Sequence, residues 1–221
     1  MKILLKIDYS NAFNTIRRDH MLRQVKDRAP QAHYYAYQAY AQETDLYYND
    51  TVISSATGVQ QGDPMGQALF SLGIHELASR LESPLNVWYL DDATFGGDLE
   101  TVLSDFKLLI QESSLAGLHL NAAKCELLIV NPSQDEVQQV VDTFRRVAPQ
   151  IRVVKCEEAV LLVAPLLETS VPRVLRGKLD SFSTLSSRLK FLSVHEALYI
   201  LKNCLALPKL CLLYTSDAAD E

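Results

Sequence analysis

Three carboxylates carry most of the chemical information in this chain of 221 residues. Asp91 and Asp92 stand side by side after the apolar run Val87-Trp88-Tyr89-Leu90. Asp8 follows a similar run, Ile3-Leu4-Leu5-Lys6-Ile7. An acid at the end of one strand and an acid pair between two others can meet at one point in space. Carboxylates gathered this way repel one another and raise each other's pKa unless a cation holds them. Two divalent ions about 3.5–4 Å apart clamp the attacking and leaving oxygens of phosphoryl transfer. The chemistry indicated is therefore metal-assisted nucleotidyl transfer. An isolated Asp-Asp pair more often caps a helix or lies in a solvated turn, so the surrounding elements decide.

Those elements can be read along the chain. Residues 3–8 form an apolar run suited to a buried strand, and residues 15–28 a helical or turn-rich segment. Residues 31–42, rich in Tyr and Ala, predict a helix. Leu46-Tyr47-Tyr48 and Thr51-Val52-Ile53 flank the turn formers Asn49-Asp50 and predict a β-hairpin. Gly58 to Pro64 is a loop punctuated by Gly and Pro. Residues 66–81 show helical periodicity. Val87–Leu90 and Ala93–Phe95 form two arms of a hairpin around Asp91-Asp92. Asp98 caps a helix over about 99–116, closed by Gly117. Leu127–Val130 is a strand, and Ser133-Gln134-Asp135-Glu136 is a capping box for a helix through Phe144. Residues 151–163 hold one or two short strands. Leu175, Leu179, Phe182, Leu185, Leu189 and Leu192 form a helical stripe suited to core packing. Ser193-Val194-His195-Glu196 opens a final helix to about Leu205. The pattern lacks parallel βαβ regularity, so the expected fold is α+β: an antiparallel sheet with helices on one face, then a helical C-terminal part.

Composition sets bounds. The chain is 48% hydrophobic and 22% charged, which suits a globular protein of one or two domains. No uncharged apolar run reaches the roughly 18 residues of a membrane span. The first residues are too short for a signal-peptide core, so an intracellular location, nuclear or cytoplasmic, is expected. Cys125, Cys156, Cys204 and Cys211 lack paired spacing and read as buried thiols. Net charge is −6, but residues 1–150 carry 12 Lys and Arg against 19 Asp and Glu, whereas residues 151–210 carry 9 against 5. An acidic, metal-holding part followed by a basic part suits a nucleic-acid enzyme.

Four segments stand in one order: Lys6-Ile7-Asp8-Tyr9-Ser10-Asn11-Ala12-Phe13-Asn14, Gly58-Val59-Gln60-Gln61-Gly62-Asp63-Pro64-Met65-Gly66, Tyr89-Leu90-Asp91-Asp92, and Gly117-Leu118-His119-Leu120-Asn121 with Lys124-Cys125-Glu126. The set resembles the reverse transcriptase domain of non-LTR retrotransposons and related retroelements, strongly over residues 2–130 and loosely over 150–210. The resemblance implies an RNA-directed DNA polymerase built on a polymerase palm sheet. Its partners would be an RNA template, a DNA primer and a dNTP. Its cofactor would be two Mg2+ ions, with Mn2+ as the alternative. Asp8, Asp91 and Asp92 would hold the metals, with the backbone carbonyl of Ile7. Phe13 would press on the sugar of the incoming nucleotide and exclude a 2′-hydroxyl. Gln61 and Gly62 would contact nucleotide and template, and Lys124 would protonate the leaving pyrophosphate. Leu162-Val163-Ala164-Pro165 would grip the primer end.

The resemblance also implies a division: palm over 1–150, the end of the palm and a partial thumb over 151–210. Residues 211–221 read as a translated sequencing adapter rather than natural sequence. The first motif begins at residue 6, so the fingers that precede it in the family are expected to be missing, and the chain alone to be inactive. Two alternatives stay open: a catalytically inactive fragment or domesticated binding module, and an RNA-directed RNA polymerase, which Phe13 disfavours. Oligomeric state is not legible.

Overall fold

The computed structural model describes residues 2–130, 134–162 and 164–205. They fall into two compact units, one ending at Val154 and the other beginning at Lys155. The first holds β1 (Lys2–Ile7), α1 (Ala12–Thr15), α2 (Arg18–Arg28), α3 (Pro30–Tyr40), β2 (Thr44–Tyr48), β3 (Thr51–Ser55), α4 (Gly66–Ser79), β4 (Leu85–Tyr89), β5 (Asp92–Gly97), α5 (Leu99–Leu115), β6 (Glu126–Val130), α6 (Gln134–Val147) and β7 (Arg152–Val154). The second holds β8 (Val160–Leu161), β9 (Ala164–Pro165), α7 (Val171–Arg188) and α8 (Val194–Ile200). The fold class is α+β, as expected.

The main sheet has the order β4-β5-β1-β6-β7. β1 is the middle strand, antiparallel to β5 on one side and to β6 on the other. Its side chains alternate: Ile3, Leu5 and Ile7 are wholly buried, whereas Leu4 and Lys6 are half-buried. That is the period of a strand with one covered face. α5 lies against β1 and β5. Val102, Phe106 and Leu109 recur at helical spacing on its wholly buried face. Phe106 meets Phe144 of α6 with ring centroids 5.9 Å apart. Asp98 caps α5 by accepting a hydrogen bond from the Thr101 N–H at 3.1 Å.

The expectation of a purely antiparallel sheet needs one correction. β7 runs parallel to β6, with Leu127 opposite Val153. The intervening α6 returns the chain to the starting end of β6, so the next strand must run in the same direction. Ile151 to Val154 could be read as a strand, but its direction depends on that crossover.

A second correction concerns α7. No residue of it is buried. Leu179 is 64% exposed, Leu175, Phe182 and Leu192 are also exposed, and Leu185 and Leu189 are only half-buried, so the stripe read as core packing is not a buried face among the described residues. α8 does begin at the expected capping box: the Ser193 hydroxyl accepts from the Glu196 N–H at 3.4 Å, and the Glu196 carboxylate accepts from the Ser193 N–H at 3.0 Å. Cys125 is buried as expected, but Cys156 is only partly buried because it lies in a short turn of the second unit. Ser133 of the other capping box, Val163, Cys211 and the segment 211–221 lie outside the described residues, as does the Cys204 side chain.

Candidate active site

β1 delivers Asp8 immediately past its last ladder residue. Ile7 opposes Ala93 of β5, and Asp92 is the residue just before Ala93. β4 and β5 form a hairpin in which Tyr89 opposes Asp92, leaving Leu90-Asp91 as the two-residue turn. The antiparallel register therefore brings Asp8 and the Asp91-Asp92 pair to one end of three neighbouring strands. Leu90 has φ 56°. Two-residue hairpins usually place Asn or Gly there, and a leucine in the left-handed region is strained.

All three acids are half-buried. Burial raises the Asp91 carboxyl above the usual carboxylate range, and the charges of Asp92 and Asp8 push the same way. Asp8 Oδ1 is buried and accepts no hydrogen bond. Lys124 Nζ lies 4.0 Å from it, a long ion pair, with the lysine side chain mostly exposed. An orphaned carboxylate oxygen beside two further acids is the hard-oxygen donor chemistry that Mg2+ or Mn2+ takes. The side chains are not gathered into a finished cage: among the described residues no group of three or more His, Cys, Asp or Glu is close enough to hold a metal ion.

The other expected site residues are placed less uniformly. Phe13 follows the α1 entry and stacks on Phe70 of α4, with centroids 4.2 Å apart and planes at 15°. It is half-buried against the core, so one face of the ring is used in packing. Gln61 and Gly62 are exposed in the loop before α4. Gly62 has φ +91°, and a Cβ there would meet nothing within 4 Å. Its glycine is required by backbone conformation rather than by contact within the chain. Ala164-Pro165 and Val160-Leu161 form a two-residue ladder, β8–β9, in the second unit.

Sequence reading missed the brace under the Gln61 loop. Arg18 is buried, 6% exposed. Its Nε donates to the Gly58 carbonyl at 3.0 Å and its Nη1 to the Ser55 carbonyl at 2.5 Å. The guanidinium carbon sits 5.3 Å over the Tyr40 ring. The Tyr40 hydroxyl donates to Asp63 Oδ2 and accepts from the Gln60 N–H at 3.2 Å. Asp63 Oδ1 accepts from the Met65 N–H at 2.8 Å, at the entry of α4. Burial and the hydrogen bond to Asp63 push the Tyr40 phenol up to about 12. The missed signal is Arg18 itself, a cation in register with the buried positions Met21, Leu22 and Val25 of α2.

The chain matches the model of the family described as reverse transcriptase (RNA-dependent DNA polymerase) over residues 1–194. It belongs to that family. No curated protein matches it in sequence. Among solved structures it is similar to apo telomerase from Candida tropicalis truncated from its C-terminal domain, at 13% identity and a TM-score of 0.42. That similarity covers 60% of this chain and 31% of the telomerase chain.

Proposed function

We propose that this member of the reverse transcriptase family is the core of an RNA-directed DNA polymerase of the non-LTR retrotransposon type, adding dNTPs to a primer 3′-hydroxyl on an RNA template. The observation that supports this most is that strand register brings Asp8 to the same end of the sheet as Asp91 and Asp92, from segments more than eighty residues apart, and that Asp8 Oδ1 is buried with no hydrogen-bond partner. Asp8, Asp91, Asp92 and the Ile7 carbonyl would hold two Mg2+ or Mn2+ ions. Such ions, when bound, neutralise phosphate charge and lower the cost of bringing two anionic oxygens together.

The remaining steps belong to the chain's own side chains. Phe13, braced from behind by Phe70, blocks the space a 2′-hydroxyl would need and selects deoxynucleotides. The Gln61 amide hydrogen-bonds the incoming nucleotide or template, and Gly62 lets the backbone come close to it. Lys124, exposed at the rim beside Asp8, delivers a proton to the leaving pyrophosphate. Catalysis is then positioning and electrostatics rather than covalent chemistry.

Primer extension on an RNA template, with dNTPs or with NTPs and with or without divalent ion, tests the reading. Metal-dependent dNTP incorporation is expected, in this chain or in one extended upstream of Met1. Asp91→Asn should lower it by about 100- to 1,000-fold or more with the fold intact. Normal extension by folded Asp91→Asn refutes the assignment. Preferential NTP use would favour the RNA polymerase, and no extension by either chain the binding module.

A further inference from the structure

The segment after Gly117 does more than carry Lys124. Lys6 opposes Glu126 in the β1–β6 ladder, and Tyr9 forms a single bridge with Leu120. Between those pairs lie two residues on one side, Ile7 and Asp8, and five on the other, Asn121 to Cys125. The surplus bulges out as the Ala122-Ala123-Lys124 turn, closed by the Lys124 and Cys125 N–H groups donating to the Asn121 carbonyl at 2.9 and 3.1 Å. Bulges of this kind re-aim side chains at strand ends.

Both backbone groups of Asp8 are held by the ends of that bulge. The Asp8 carbonyl accepts from the Asn121 N–H at 2.8 Å. The Asp8 N–H donates to Cys125 Sγ at 3.5 Å, and the same sulfur lies 3.8 Å from the Asp8 carbonyl oxygen as donor. Asp8 is past the end of the β5 ladder, so its N–H has no strand partner there. A buried amide left unpaired is costly, and the thiol supplies the acceptor. Cys125 is wholly buried. On the far side Ser10 N–H donates to the His119 carbonyl at 2.8 Å, so the backbone on each side of the carboxylate is tied down.

We propose that Cys125 is a positioning residue: its sulfur, with the Asn121 N–H, fixes the backbone of Asp8 and thereby the direction of its carboxylate. This rests on the reading of Asp8 as a metal ligand. Groups that orient a ligand from behind typically govern 10- to 100-fold in metal affinity. The thiol does so through the main chain, leaving both carboxylate oxygens of Asp8 unencumbered by it.

Two variants of the full chain separate hydrogen bonding from packing. Cys125→Val fills the buried volume without a hydrogen-bonding atom, and Cys125→Ser keeps one. Amide hydrogen exchange at Asp8 and Mn2+ binding, followed by electron paramagnetic resonance, are the readouts. In Cys125→Val the Asp8 amide should lose protection while Ile3 and Leu5 keep theirs, and Mn2+ should bind about tenfold more weakly. Cys125→Ser should fall between Val and wild type in both, and it carries the test if the Val variant does not fold. Equal Mn2+ affinity and equal Asp8 protection in the variants and wild type overturn the inference alone. A wild-type chain that binds no Mn2+ overturns the metal reading beneath it, and this inference with it.

Discussion

α5 and α7 carry the same kind of apolar stripe, and only one of them is buried. In α5 the stripe Val102, Phe106 and Leu109 is wholly shielded, because the helix lies along β1 and β5 and meets α6. In α7 the stripe Leu175, Leu179 and Phe182 stays exposed, and α7 itself buries nothing. Periodicity makes both segments helices, because it decides which residues share a face. Burial needs a second surface, and within the first unit the five-stranded sheet and α6 supply one to α5. The candidate site belongs to that better-packed unit: Asp8 follows the central strand β1, and Asp91-Asp92 lead into its neighbour β5, where all five residues after Asp92 are buried.

The contrast is sharpest for the same substitution in both units. Phe95→Ala, at a wholly buried β5 position, should cost about 3–5 kcal/mol in urea unfolding. Phe191→Ala, at a residue 89% exposed, should change stability by no more than about 0.5 kcal/mol. Comparable losses at both would break the comparison and mean that Phe191 has cover.

A smaller effect probes the loop that carries Gln61. Gly58 has φ +71°, and a Cβ there would fall 2.4 Å from the Asn14 Cα. Gly58→Ala should cost about 1–3 kcal/mol of strain, read as a lowered Tm. An unchanged Tm would show that the first unit yields where its packing says it should not.

The mildest change is Tyr40→Phe, which removes the hydroxyl linking Gln60 and Asp63. It should cost about 1 kcal/mol at neutral pH. It should also alter the alkaline limb of stability. The phenol titrates near its ordinary value of 10.0 when unfolded and at about 12 when folded. Between those values the unfolded state has lost the proton and the folded state keeps it, so stability present below pH 10 is lost as pH rises toward about 12. Urea titrations across that range should show a shallower decline in Tyr40→Phe. An identical decline would remove Tyr40 from the account.

Much of this is legible in the sequence alone. The alternation of Ile3, Leu5 and Ile7 marks β1, the Asn49-Asp50 pair marks the β2–β3 turn, and Asp98 marks the start of α5. These signals are local, and local backbone preference and side-chain period produce them. The parallel pairing of β7 escaped because strand direction depends on where α6 returns the chain. The β4–β5 turn falls at Leu90-Asp91, one residue before the expected Asp91-Asp92, because Leu90 takes a positive φ that its residue type does not announce. Arg18, Tyr40 and Asp63 come from three distant segments, and nothing in their spacing links them.

By itself, the sequence determined the chemistry on offer: three acids, an aromatic at Phe13, a lysine at 124, and the order of motifs that places the chain in its family. Side-chain type and order along the backbone are properties of the polymer, independent of how it folds. Only the tertiary structure decided that Asp8 comes to the same end of the sheet as Asp91 and Asp92, that the backbone of Asp8 is hydrogen-bonded by Asn121 and Cys125, and that Leu175, Leu179 and Phe182 of α7 stay exposed among the described residues. Those are matters of register and of which surfaces meet, set by hydrogen-bond ladders and packing between segments far apart in the chain.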